Sequence, residues 1–314
     1  MAASLKDLRS RIKSIKNTQQ ITKAMKLVSA AKFGRAQSNV INSRYYSQAI
    51  IKLAKRLANL VVGGSDFTLL NKSSSKNAIV VVVSSERGLC GGYNANVTRA
   101  ASKIISEIES EGYKVFAVCL GKKSFQSIFR KRKIEEKIKN DPIHINMNDE
   151  DYSVKIKSIL NSDGLASITT HFDKLTQEFS KKLCHSVCDL YSQNQIGRFV
   201  VVYNKFYSAM SQVPVAETIL PLSFESNERL EEPVFEPDLD TIVPAVVRRY
   251  VDYRFFQILL ESIASEHGAR MTAMDSATRN GKDMEKKLQI TYQRARQAAI
   301  TKELIEIISG AEAL

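Results

Sequence analysis

Residues 5–60 read LKDLRSRIKSIKNTQQITKAMKLVSAAKFGRAQSNVINSRYYSQAIIKLAKRLANL, a pattern that predicts one unusually long helix. It contains no proline and a single glycine, Gly34, and it is rich in residues that favour a helix. A globular helix averages about 11–12 residues. This stretch would instead form a rod roughly 85 Å long. A rod of that length cannot be enclosed by one compact core, so it needs a partner along its length.

A second long helix is predicted at the other end of the chain. Residues 245–314 contain no proline and only three glycines. Each terminal helix is the nearest available partner for the other. We therefore predict the α/β class, with a long antiparallel coiled coil of an N-terminal helix, residues 1–62, and a C-terminal helix, residues 245–314. The alternative, an ordinary amphipathic core helix, seldom exceeds about 25 residues.

Apolar residues in both predicted helices follow coiled-coil spacing. The three apolar stripes are Leu5, Leu8, Ile12 and Ile15; Tyr46, Ile50, Leu53, Leu57 and Leu60; and Met284, Leu288, Tyr292, Ala295 and Ala299. After Ile15 the same register falls on Gln19 and Thr22, and the apolar positions move to Ile21, Met25 and Val28. We therefore expect the heptad repeat to be interrupted there, with the stripe twisting around the helix.

The middle of the chain predicts a small Rossmann-like α/β domain, residues 76–206, inserted between the two helices. Three short apolar runs are typical of buried parallel strands: residues 78–83, 115–120 and 199–203. Helical spacing lies between them at residues 94–110 and 171–191. This alternation predicts a parallel sheet. Residues 130–164 carry no clear pattern and are expected to be helix or loop, and residues 207–244 to be an extended connecting segment.

The positive charge of the chain is concentrated on the N-terminal helix. Residues 1–60 hold thirteen Lys or Arg and one acid, Asp7, so their net charge is +12 of a total of +13. Like charges three or four residues apart repel along a helix, so this helix is expected to face an acidic partner. Nucleic acid and an acidic protein surface both fit. If the partner is nucleic acid, the chain would be a basic coiled-coil nucleic-acid-binding adaptor.

The sequence offers no recognisable catalytic, cofactor or metal site. The turn RGLCGG, residues 87–92, follows a predicted strand but matches neither phosphate-binding glycine pattern. Cys184, His185 and Cys188 lie within one helical turn but leave a tetrahedral metal shell incomplete. A nucleophilic Cys90 has no evident histidine base. We therefore expect no catalysis by this chain alone, no cofactor and no metal.

Two further features concern the compartment. The four cysteines are spread too thinly for a disulfide framework, so we expect thiols in a reducing compartment. No apolar run approaches the roughly 18–20 residues that cross a bilayer, and the start MAASLKDLRS lacks the apolar stretch of a signal peptide. We expect a protein that does not itself span a membrane.

Seven short stretches carry a family resemblance. They are IKNTQQITKAMK at 15–26, SERGLCGG at 85–92, MSQVP at 210–214, RRY at 248–250, SEHGARM at 265–271, RARQAAITKEL at 294–304 and ISGA at 308–311. Together they closely resemble the gamma subunit of F-type ATP synthases, and the likeness extends over essentially the whole chain.

The resemblance implies a rotating central stalk that is not itself catalytic. In that family the terminal helices form an asymmetric coiled coil inside a hexamer of alternating alpha and beta subunits. The insert lies beside the epsilon subunit, called delta in mitochondria, and the c-ring. The implied function couples proton flow through the c-ring to ATP synthesis at the beta subunits. The implied place is the cytoplasmic side of a bacterial inner membrane or, alternatively, the matrix side of the mitochondrial inner membrane. Nucleic acid is then no longer an expected partner.

The resemblance also implies which residues contact the partners. Basic residues of the N-terminal helix are the counterpart of an acidic loop on the beta subunit. The expected contacts with the alpha and beta subunits are Lys23, Met25, Lys26, Arg87, Cys90, Arg270, Gln297, Thr301 and Glu303. Phe235 and Glu236 are expected to rest on the c-ring. For each of these residues, packing within the chain is the alternative.

Overall fold

A computed structural model describes residues 4–61, 69–135, 142–146, 152–162, 164–169, 176–222 and 239–312. The chain divides into two compact units, which we describe separately. The smaller unit combines residues 1–31 with residues 270–314, and the larger unit contains residues 32–269. Two long helices, α1 (Leu5–Val61) and α6 (Leu239–Glu312), contribute to both. The predicted mixed α/β class with long terminal helices is confirmed.

The larger unit contains a six-stranded sheet. Its elements in chain order are β1 (Asn77–Val83), α2 (Tyr93–Ser110), β2 (Lys114–Leu120), α3 (Lys122–Ile134), β3 (Ile143–Asn146), α4 (Tyr152–Leu160), β4 (Leu165–Thr169), α5 (Gln177–Ser192), β5 (Arg198–Phe206) and β6 (Gln212–Leu220). The strand order is β3-β4-β2-β1-β5-β6, and all pairings are parallel except that of β5 with β6. The three predicted strands are β1, β2 and β5.

The structure adds elements where the sequence carried no clear pattern. β3, α4 and β4 lie within or next to residues 130–164. Their signal is weak because β3 has four residues and β4 mixes Ser and Thr with apolar residues. Helix α5 was predicted from residue 171; residues 171–175 lie outside the described part, and α5 begins after Thr176, whose side-chain oxygen accepts a hydrogen bond from the Phe179 amide.

The structure also differs from the prediction of an extended connecting segment at residues 207–244. β6 occupies part of it and pairs antiparallel with β5 at the edge of the sheet. The residues of β6 from Gln212 to Thr218 are half-buried or exposed, so its sequence lacks the continuous apolar run of a central strand. α6 begins at Leu239 rather than at 245 and contains Pro244. A proline so close to the helix start removes one helical hydrogen bond without ending the helix.

Hydrophobic residues cover both faces of the sheet. Ala78, Val80 and Val82 of β1 belong to one cluster with residues of α2 and α3. Residues Ile79 and Val81 belong to the opposite cluster, with residues of α5 and the first part of α6. Because the central strands are buried on both faces, their sequences are continuous apolar runs without alternation.

In the larger unit, α1 packs through small and aliphatic residues. Its inward positions are Ser43, Ser47, Ile50, Ala54 and Leu57. The predicted stripe is therefore wrong at Tyr46 and Leu53, which are 41% and 40% exposed. Tyr46 lies at the margin, with its ring centroid 4.3 Å from that of Tyr253. The side chain of Leu60 lies outside the described residues.

A chain of hydrogen bonds ties the helices of the larger unit to its sheet. Arg254 of α6 donates through Nε and Nη2 to Glu217 of β6, with an Nη2–Oε2 distance of 2.6 Å. Arg254 Nη1 also donates to Gln257 Oε1 at 2.7 Å, and Ser47 of α1 donates to the same oxygen at 2.6 Å. The two-point ion pair between Arg254 and Glu217 fixes the edge strand β6 against α6.

All four cysteines are buried thiols. Cys90 is 2% exposed, and Cys119, Cys184 and Cys188 are fully buried. Burial raises the pKa of Cys119 and of Cys188 to about 12, and it raises the pKa of Cys184 as well. His185 Nε2 lies 2.9 Å from Asp252 Oδ2. Among the described residues, no three His, Cys, Asp or Glu side chains gather as metal ligands.

None of the described helices is both long enough and apolar enough to cross a bilayer.

A substitution at Gly121 tests the backbone geometry at the end of β2. Its φ is +102°, and a Cβ there would lie 2.1 Å from the Ser84 carbonyl oxygen. Gly121→Ala should therefore lower the free energy of unfolding by more than about 2 kcal/mol in urea denaturation. Gly34→Ala is the matched control, because Gly34 is helical with nothing within 4 Å of an added Cβ. It should raise stability by about 0.5–1 kcal/mol. Equal stabilities of the two variants would contradict the geometry.

Burial of the thiols predicts slow labelling. With a thiol reagent at neutral pH, the native chain should show almost no rapid reaction, because the thiolate is the reactive form and the sulfur atoms are enclosed. Full reaction of all four cysteines should require denaturant. Leu89→Cys is the positive control, since Leu89 is 62% exposed; it should add one rapidly reacting thiol. Rapid reaction of the unmodified native chain would show that the described packing is wrong.

Candidate partner-contact surface

In the smaller unit, residues 5–31 of α1 pair antiparallel with residues 270–299 of α6. Partners on α6 descend in number as those on α1 ascend. The polar contacts are Arg9 Nη2 to Tyr292 Oη at 2.9 Å, Gln19 Nε2 to Glu285 Oε2 at 2.9 Å, Thr22 Oγ1 to Thr278 Oγ1 at 2.8 Å, and Lys26 Nζ to Asp275 Oδ1 at 2.6 Å. The predicted antiparallel pairing is therefore present in this unit.

The heptad register of this pair is unbroken. Inward positions on α1 are Leu8, Ile12, Ile15, Gln19, Thr22, Lys26 and Ser29, and those on α6 are Met274, Thr278, Gly281, Glu285, Leu288, Tyr292, Ala295 and Ala299. The predicted interruption after Ile15 is wrong, because polar side chains that bond to one another occupy the same register. The prediction that Met284 lies in the seam is also wrong. Met284 is 55% exposed, and Glu285 takes the seam position instead.

Apolar residues that are absent from the seam lie on the outer surface of α1. Ile21, Leu27 and Val28 are 61%, 62% and 58% exposed. Lys23 is also exposed, and Met25 is half-buried at the margin of the pair. This part of α1 therefore presents a surface that is both apolar and basic, which suits contact with an acidic protein.

Lys26 is engaged within the chain. Its Nζ lies 2.6 Å from Asp275 Oδ1, and Arg279 also donates to Asp275. Hydrogen bonds from Lys26 and Arg279 hold the pKa of Asp275 below its ordinary value. Of the three neighbouring residues predicted as contacts, Lys23 is thus the exposed cation, whereas Lys26 neutralises an acid of the partner helix.

The end of α6 extends past the pair. Residues 300–311 are all exposed, and α1 begins only at Leu5. Five large aliphatic residues lie here at 44–67% exposure: Ile300, Leu304, Ile305, Ile307 and Ile308. An exposed apolar surface of this kind marks an interaction site. Contacts with the hexamer were predicted here from the resemblance, through Gln297, Thr301 and Glu303, but these large apolar residues were not among them, although the apolar pattern of α6 continues past Ala299.

The C-terminal contact candidates occupy different environments. Gln297, Thr301 and Glu303 are exposed on this helix, and Thr301 donates to the Gln297 carbonyl at 2.9 Å. Arg270 is half-buried at the start of the paired part of α6. Phe235 and Glu236, the predicted c-ring contacts, lie outside the described residues.

The glycine turn, residues 85–92, lies in the larger unit and displays two side chains. Arg87 and Leu89 are exposed, and Leu89 has a φ of +63°, which is uncommon for a non-glycine residue. Cys90 is 2% exposed, and its sulfur accepts a hydrogen bond from Asn94 Nδ2 at 3.1 Å. The Cys90 thiol therefore supports the turn from inside, and its contact with a partner subunit stays a prediction.

Hydrogen bonds also join the residue after the glycine turn to β5 and α6. Tyr93 follows the glycine turn, and its carbonyl accepts a hydrogen bond from Asn204 of β5 at 3.1 Å. The Tyr93 hydroxyl donates to the Ser262 carbonyl of α6 at 3.2 Å, and Ser265 Oγ donates to the Asn204 carbonyl at 2.9 Å. Tyr93 and Asn204 thus link the end of the glycine turn to β5 and to α6 within the larger unit.

Comparison with solved structures supports the fold. A chain of the Euglena gracilis mitochondrial ATP synthase, in a structure of OSCP, F1 and the c-ring, matches with a TM-score of 0.61 at 18% identity, over 98% of this chain and 94% of that one. A chain of the Tetrahymena thermophila mitochondrial ATP synthase central stalk and c-ring matches with a TM-score of 0.53 at 22% identity, over 82% and 99%.

The relatives found by sequence are more similar to this chain than the solved structures are. The family model described as ATP synthase matches residues 4–314. The ATP synthase gamma chain of Geobacter metallireducens is 39% identical over 315 residues, covering 99% of both chains. That of Cytophaga hutchinsonii is 37% identical over 320 residues with the same coverage. Because the likeness includes both helices, the sheet and the glycine turn, this chain belongs to the ATP synthase gamma chain family.

Proposed function

We propose that this chain is the rotating central stalk of an F-type ATP synthase. In this role it couples proton flow through the c-ring to sequential conformational change and ATP synthesis at the catalytic beta subunits. It makes and breaks no bond in a nucleotide itself. Its membership of the gamma chain family over nearly its whole length supports this role. The nucleic-acid alternative has no support from the relatives.

The observation that carries the proposal is the exposed apolar end of α6. Residues 300–311 expose five large aliphatic side chains next to a tightly paired segment. Left in water, such a helix would associate non-specifically. A surrounding sleeve of alpha and beta subunits would cover it on all sides and still allow it to turn, because apolar contacts are not directional.

Energy transfer requires unequal contacts. A shaft can change the populations of open and closed beta conformations only if each orientation contacts them differently. The outer surface of α1 around Ile21, Lys23 and Val28 is one such asymmetric feature, since it lies on one helix of the pair. The proposed partner of this surface is the acidic loop of a beta subunit.

The remaining partners follow from the family. The epsilon subunit, delta in mitochondria, and the c-ring are the proposed partners of the larger unit. The chain would thus be peripheral to the membrane through its complex, on the cytoplasmic side of a bacterial inner membrane or on the matrix side in a mitochondrion.

Reconstitution tests the proposal. We expect the chain to co-purify with alpha and beta subunits as one copy per three of each, and to hydrolyse no ATP when alone. A chain that instead shifts labelled DNA with a steep salt dependence, and does not join the hexamer, would support the adaptor hypothesis.

Met25→Lys tests the contact surface on α1. The added cation next to exposed Lys23 should pair with the acidic loop and hinder its sliding along the shaft. A partly exposed ion pair is worth up to about 1 kcal/mol, which would slow a step that breaks it by up to about fivefold, so proton pumping per ATP should fall. Ser38→Lys adds the same charge at another exposed α1 position and should leave coupling unchanged. Equal pumping by both variants would remove Met25 from the contact surface.

A further inference from the structure

The middle of the paired helices has a seam unlike its ends. We call it the polar segment: Gln19, Thr22 and Lys26 of α1 with Glu285, Thr278 and Asp275 of α6. Towards the start of α1 the seam is apolar, with Leu8, Ile12 and Ile15 on one helix and Leu288, Tyr292 and Ala295 on the other. The polar segment replaces three layers of apolar packing by bonds between specific pairs.

Each of these bonds requires one alignment of the helices. The Thr22 and Thr278 hydroxyls are 2.8 Å apart, and Gln19 reaches Glu285 at 2.9 Å. Lys16 approaches Glu285 from the preceding turn, with Nζ 3.4 Å from Oε1. Gly281 makes room for Gln19, because a Cβ at Gly281 would lie 2.8 Å from Gln19 Cγ. The space at Gly281 and the hydrogen bonds of Gln19 and Thr22 therefore favour the same alignment of the two helices.

An apolar heptad seam alone does not fix the alignment. Sliding one helix by seven residues, about 10 Å, restores an apolar-to-apolar seam. Counted from the Gln19–Glu285 contact, such a slide in one direction would place Glu285 opposite Ile12, and in the other direction Gln19 opposite Tyr292. Either slide separates Gln19 from Glu285 and leaves one of these two polar groups beside an apolar side chain without its partner, which is unfavourable. The second slide would also bring Lys26 opposite Lys282.

We propose that the polar segment is a register lock: it fixes the stagger of the two helices and gives up part of the stability that an apolar seam would supply. A single polar seam residue can set alignment in this way in coiled coils generally. The purpose of the lock rests on the proposed function, because a shaft under torque must keep its outer surface in one position relative to its end.

The lock is tested by distance measurement on the isolated full chain. Spin labels are attached to Arg11→Cys and Gln293→Cys, two exposed positions on facing helices, since the native thiols are buried. In the unmodified seam we expect one label distance. In the variant Gln19→Leu, Thr22→Ile, Thr278→Ile and Glu285→Leu, we expect a second population, together with an unfolding midpoint that is equal or higher.

A matched control tests whether the loss of threonine hydroxyls outside the seam has the same effect on the label distance. Thr18→Ile with Thr291→Ile changes two exposed threonines whose hydroxyls bond only to carbonyls of their own helices, Ser14 and Lys287, both at 3.0 Å. It should keep one label distance. If the fourfold variant does not fold, Gln19→Leu with Glu285→Leu is measured in the same way. One unchanged distance in the folded seam variant overturns the proposal. Because no partner subunit is present, this failure differs from a failure to join the hexamer.

Discussion

The pairing of residues 5–31 with residues 270–299 is the constraint on which the smaller unit depends. Thirteen basic residues against one acid in residues 1–60 oppose helix formation through repulsion. The partner helix offsets this repulsion at specific points, since Asp275 lies against Lys26 and Glu285 against Lys16. Hydrogen bonds to these two acids, led by those from Lys26 and Gln19, lower their pKa. The seam therefore combines apolar burial with neutralisation of the basic helix.

The same seam explains where partner contacts fall. Because Gln19 and Thr22 occupy the inward positions, the apolar residues Ile21 and Val28 must face outward beside Lys23. Because α1 begins at Leu5, the helix after Ala299 has nothing in the described chain to cover it. Both exposed surfaces are thus consequences of one register. In the larger unit, the hydrogen bonds of Tyr93 hold the glycine turn against β5 and α6.

Much of this could be predicted from sequence, for physical reasons. Helices without proline, buried strands such as β1 and the positive charge on α1 leave strong local patterns. The unbroken seam could not be predicted, because Gln19, Thr22 and Glu285 are inward only by virtue of partners more than 250 residues away. β6 was missed because most of its residues are half-buried or exposed, so it carries no continuous apolar run. The burial of Cys90 depends on Tyr93 and Ala269, which sequence alone does not bring together.

Direct observation of rotation is the sharpest test of the central claim, that a non-catalytic helical shaft carries the coupling. A bead would be attached through Lys103→Cys, an exposed position on α2, in hexamers of alpha and beta subunits fixed to a surface and supplied with ATP. We expect rotation in one direction with three pauses per turn, one for each catalytic subunit. A bead that stays still or moves randomly while the same hexamers hydrolyse ATP would contradict the account.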